Sequence, residues 1–66
     1  MALPEEPLSS GEEFTLRRIA NGGGYLSALR PQDVERLLTL KLIYRDSRKV
    51  QVTPLGRQRL YSLDRR

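Results

Sequence analysis

Arg45, Arg48 and Lys49 set three cations around the polar tip of the segment "YRDSRKV". Cations grouped at the tip of a hairpin can reach a row of phosphates or a narrow minor groove. The same residues would also keep a turn soluble and guard an exposed strand edge against aggregation. Little else in the chain offers chemistry. There is no cysteine and no histidine, which removes disulfides, cysteine–histidine metal sites, thiol nucleophiles and the usual neutral-pH general base. Asp33 and Glu35 stand two apart, on different sides of a helix, and read as solvated surface and dipole matching rather than an acid–base pair. The run "NGGG" (residues 21–24) lacks the lysine and hydroxyl residue of a phosphate loop, and no strand precedes it. No enzyme activity, cofactor, metal or small-molecule substrate is expected.

Charge is distributed unevenly. Residues 1–16 carry four acids (Glu5, Glu6, Glu12, Glu13) and no base, while residues 17–66 carry all twelve bases against four acids, a balance of +8. A basic body favours polyanionic partners, nucleic acid first. Arginine-richness for solubility alone is the competing explanation. A chain of 66 residues makes one small domain, burying only about 60% of its extended surface, so a homodimer is the expected assembly. No apolar run approaches the ~20 residues of a membrane span, and the acidic, proline-bearing start is unlike a signal peptide, so a cytoplasmic protein is expected.

The elements that must position these cations follow from local patterns. Residues 1–8 read as a flexible acidic arm and residues 9–66 as the folded domain. Ser9 or Ser10 can cap a first helix, Ser10 with Glu13 fitting a capping box, and Leu16, Ile19 and Ala20 form its apolar stripe. Phe14 points away from that stripe and needs a second element or another subunit to cover it. The three glycines stop the helix. Residues 24–30 read either as a short extended segment, a third strand near 24–27, or as a truncated helix. Pro31 opens the next helix, with Val34, Leu37 and Leu38 facing inward and an end near Thr39–Lys41. Two β-capable runs, "LIYRD" and "VQVT", follow around "SRK", with Val50 and Val52 on one face. In "VTPLGRQRL", Thr53 ends the second strand and caps a last helix, Pro54 takes its first position, and Gly56 allows close approach of another element. The tyrosines at 25, 44 and 61 read as core-edge residues, not as neighbours on one sheet. The fold class is therefore α+β, with three helices and a two-stranded β-hairpin.

The stretch "VERLLTLKLIYRD…VQVTPLGRQRL" (Val34–Leu60) resembles the winged-helix domain of MarR-type bacterial transcriptional regulators. There a helix ends in "L-x-x-L-G-L-[IV]", a β-wing follows, and the chain re-enters a helix through "L-T-P-x-G-[RK]". The resemblance implies a helix in the major groove and a wing on phosphate or minor groove. This sequence departs from the pattern twice. Only residues 22–30 are available for the first helix of the helix-turn-helix, so that part is trimmed or replaced by a strand. Lys41 stands where the family has a helix-ending glycine.

What the resemblance implies for function is a small DNA-binding regulator of bacterial or phage type, dimeric on double-stranded DNA. Gln32, Arg36 and Thr39 would face base edges, where glutamine and arginine can bind adenine and guanine in two-point fashion. Lys41 stands at the end of that helix, and Arg45, Arg48 and Lys49 would hold phosphates. The alternative is a protein-interaction module on the same scaffold that does not read DNA, presenting an apolar surface around Phe14, Leu26 and Leu29.

Overall fold

The computed structural model describes residues 7–64. The order is α1 (Ser10–Ala20), a short 3-10 turn (Leu26–Ala28), α2 (Pro31–Thr39), β1 (Ile43–Asp46), β2 (Lys49–Val52) and α3 (Pro54–Asp64). Three α-helices and a two-stranded antiparallel hairpin thus form the α+β architecture expected from the sequence. No helix among the described residues is long and apolar enough to cross a membrane. Met1–Glu6 of the N-terminal arm, and Arg65 and Arg66, lie outside the described residues. Leu8 packs against the core.

The capping box of α1 is made by Ser9 and Glu12, one residue earlier than the Ser10–Glu13 pair. Ser9 Oγ accepts from Glu12 N at 3.2 Å, and Glu12 Oε1 accepts from Ser9 N at 2.9 Å. The box satisfies backbone donors that the first helical turn leaves without an intrahelical partner. Leu16 and Ile19 enter the core as expected, but Ala20 is exposed and Thr15 takes a buried place beside them. Phe14 is left 65% exposed among the described residues rather than covered by a second element.

Both α1 and α2 end in the same hydrogen-bonded device. After α1, Gly22 N donates to Ile19 O (3.1 Å) and Gly23 N to Arg18 O (2.8 Å), with Gly22 at φ +94°. After α2, Lys41 N donates to Leu38 O and Leu42 N to Leu37 O, both at 3.0 Å, with Lys41 at φ +61°. These paired bonds are a Schellman ending, and the buried Leu37 and Leu42 supply its usual apolar contact. Lysine bears a left-handed strain of roughly 1–2 kcal/mol that glycine would not. Glycine would return part of that gain, roughly 0.5–1 kcal/mol, through the freedom of the unfolded chain. Lys41→Gly is therefore expected to stabilise the fold by about 0.5–1 kcal/mol, raising the thermal midpoint by a few degrees. A midpoint that drops in calorimetry would contradict it.

The core holds Leu16, Ile19, Leu29, Val34, Leu37, Leu42, Ile43, Val50 and Val52. In the hairpin, Ile43 pairs with Val52 and Arg45 with Val50 on the inner face, while Tyr44–Gln51 and Asp46–Lys49 pair on the outer one. Ser47 turns the chain at φ +60°, the positive φ that primed hairpin turns require. Residues 24–30 combine both readings of the sequence. Tyr25 forms a single antiparallel bridge with Lys49, flanked by Val50 N to Gly24 O (2.8 Å) and Leu26 N to Arg48 O (3.1 Å), and the chain then makes its 3-10 turn. A third strand is reduced to this one rung on the free edge of β2.

The junction from β2 to α3 is tied at several points. Thr53 N donates to Leu42 O (3.0 Å); Thr53 Oγ1 donates to Lys41 O (2.7 Å) and accepts from Gly56 N (3.0 Å). One hydroxyl thus caps α3 and holds the carbonyl of the strained Lys41. Gly56 lies on the Leu42 carbonyl, and any Cβ there would collide with that oxygen.

Asp33 is a correction to the sequence reading. It is buried, not solvated, and Thr15 Oγ1 donates to its Oδ2 at 2.9 Å, joining α1 to α2. Removing a donor from a buried acceptor costs roughly 1–3 kcal/mol. Thr15→Val is expected to lose about 2 kcal/mol by chemical denaturation, and Thr15→Ser to recover most of it. Equal losses in both variants would assign the effect to the methyl group instead.

Candidate nucleic-acid interface

Helix α2 turns Val34 and Leu37 inward, so its outer face is fixed by the 3.6-residue period. Gln32, Glu35 and Thr39 are exposed on that face. Thr39 Oγ1 donates to Glu35 O at 2.9 Å, a bond back into its own helix that leaves the hydroxyl oxygen as an acceptor. Arg36 lies to the α1 side and is half-buried; its Nε stands 3.7 Å from Glu12 Oε2. The carboxylate that caps α1 therefore also holds Arg36, and this guanidinium must be drawn from that contact to meet a base. Lys41 is exposed just past the helix end.

The hairpin spreads its three cations in different directions. Arg45 pairs with Val50 on the inner face, where it lines an open groove of about 320 Å³ with Leu26, Pro31, Val34, Glu35 and Leu38. Arg48 is exposed in the two-residue turn, and Lys49 is exposed on the outer face opposite Asp46. Asp46 Oδ2 also accepts from Gln51 Nε2 at 3.0 Å. The turn carries Arg48 at the end of the hairpin, because β1 and β2 are in register to their last pair, and Leu26 N donates to its carbonyl. The groove thus brings Arg45 beside Glu35 of α2, while Arg36 is turned toward Glu12 of α1 and Lys49 toward the outer face of the hairpin.

Comparison with protein-family models, with curated proteins and with solved structures finds no significant match to this chain. The chemistry of the surface must therefore be read from the residues themselves.

Two features escaped the sequence reading. Leu29, expected on an apolar docking surface with Phe14 and Leu26, belongs to the core, and Leu26 is half-buried against it. Tyr25 and Tyr44 share one sheet face, with β2 between them: the Tyr25–Lys49 rung places Tyr25 on the outer face that Tyr44 and Gln51 share. The signal was the alternation in "GGYL". Gly24 lies against Val50 and Ile19, Tyr25 points out, and Leu26 turns back toward the core.

Proposed function

We propose that the protein is a minimal winged-helix DNA-binding domain, a small bacterial or phage-type transcriptional regulator that acts in the cytoplasm without catalysis. In this reading α2 presents Gln32, Thr39 and, once released from Glu12, Arg36 to base edges. Lys41, Arg45, Arg48 and Lys49 take phosphates. A domain of this size makes few contacts, so two copies on adjacent half-sites supply the affinity. The observation that carries the proposal is the exposed Arg48–Lys49 pair at the tip of a hairpin packed beside an outward-facing Gln32–Thr39 row. The test is titration of random-sequence duplex DNA at low salt, followed by amide shifts. Residues 31–39 and 45–49 should move together and return as salt is raised. Absence of any coherent shift at low salt would defeat the reading.

One observation favours a second reading. The groove beside Arg45 is walled by Leu26, Pro31, Val34 and Leu38, an apolar lining better suited to a peptide side chain than to DNA. A protein-interaction module on the same scaffold would show no duplex binding and would bury this groove against its partner.

A further inference from the structure

We propose that the outer face of the sheet is a second binding surface, for single-stranded DNA, with Tyr25 and Tyr44 as stacking platforms. Both rings are well exposed, at 59% and 46%. Their placement is fixed by backbone bonds. Tyr25 faces Lys49 across a rung flanked by the Gly24–Val50 and Leu26–Arg48 hydrogen bonds. Such a rung brings side chains closest together. Tyr44 pairs with Gln51, two residues along β2 from Lys49 and on the same face.

Two strand spacings and one pleat repeat separate the tyrosines by about 12 Å. Over such a distance an unpaired strand lays two or three bases on a sheet. Lys49 stands between the rings, and Arg48 lies at the adjoining tip, so a backbone crossing the face meets two cations. Asp46 is the acid on this face, where it is matched by Lys49 across the hairpin and by Gln51 Nε2 at 3.0 Å.

Aromatic faces select unpaired bases, because duplex bases are already stacked on one another. This surface is therefore distinct in substrate from the α2 face, although both draw on Arg48 and Lys49. The choice of DNA over RNA rests on the duplex-binding reading above.

The full chain is titrated with an oligothymidylate of about ten nucleotides, with oligouridylate and with duplex DNA of equal length. The chain has no tryptophan and three tyrosines, so tyrosine emission reports stacking directly. Oligothymidylate should quench it in the wild type and equally in Tyr61→Phe. Replacing Tyr25 and Tyr44 together by leucine should weaken oligothymidylate binding by about tenfold or more, with duplex affinity within about twofold of wild type. Phenylalanine at both positions should retain the affinity, since stacking needs the ring and not the hydroxyl. Should the leucine pair unfold, Tyr44→Leu alone should still lose about fivefold. Quenching absent at low salt, leucine variants that bind as tightly as wild type, phenylalanine variants that bind no better than leucine ones, or tighter binding of oligouridylate would each overturn the proposal. Duplex binding that persists through any of these results would leave the α2 reading standing.

Discussion

Replacing Gly56 by alanine is expected to destabilise the protein by about 3 kcal/mol or more, over half of the stability a domain of this size has. The sign is decided by two opposing terms. Alanine in place of glycine inside a helix gains roughly 1 kcal/mol in propensity. Against this, the new methyl would land on the Leu42 carbonyl oxygen and press on a Val52 methyl. The carbonyl is backbone, already held by Thr53 N, so it cannot swing away as a flexible side chain would. The start of α3 must then lift from the end of α2, loosening Val52 and Leu60. A 66-residue domain has a total stability on the order of 5 kcal/mol, so little margin remains. Gly22 provides the contrast. A Cβ there meets nothing within 4 Å, so Gly22→Ala should lose only the left-handed strain at φ +94° less the gain from a stiffer unfolded chain, about 0.5–1 kcal/mol net. Thermal or urea unfolding of the two variants ranks them directly. An alanine at 56 no more harmful than one at 22 would show that α3 is not seated on Leu42.

The second large effect concerns binding. Arg48→Ala with Lys49→Ala is expected to lower duplex affinity about sixtyfold at 0.1 M salt, and to flatten the slope of log affinity against log salt by about 1.8. Each phosphate neutralised contributes about 0.9 to that slope, through release of condensed counterions. Both side chains are exposed in or beside the hairpin turn, so the fold should change by less than about 0.5 kcal/mol. Loss of binding would then report loss of contact rather than loss of structure. Arg57→Ala is the control. It removes a cation from α3, which starts at the end of β2 away from the turn, and should leave the slope unchanged. Equal losses from the control would reduce the effect to net charge, and binding indifferent to all three cations would remove the hairpin from the interface.

The two experiments probe different layers of one design. Thr53 and Gly56 seat α3 against the end of α2 and the hairpin, and the register of that hairpin carries Arg48 to its tip. A variant that loosens the seat should weaken binding only as far as it populates the unfolded chain. The charge variant should weaken binding at unchanged stability. Measuring both quantities on both variants separates scaffold from contact.

The amino-acid sequence by itself determined the order of elements, the ends of α2, the hairpin centred on Ser47, and the Thr53–Pro54–Gly56 launch of α3. Capping, proline geometry and two-residue alternation act within a few residues, and glycine at 56 signals a close approach although the Leu42 carbonyl that makes it lies 14 positions away. The cations at 45, 48 and 49 were legible for the same reason, since a polar tip between alternating apolar runs must lie outside the core. Only the tertiary structure decided that Asp33 is buried against Thr15, that Arg36 answers to Glu12, that Leu29 is core, and that Tyr25 joins Tyr44 on one face. Asp33 and Thr15 are 18 positions apart, and Arg36–Glu12 and Tyr25–Lys49 are each 24 apart, so these contacts depend on the angle at which one face meets another. Local periodicity says which residues share a stripe; it does not say which stripe each will meet.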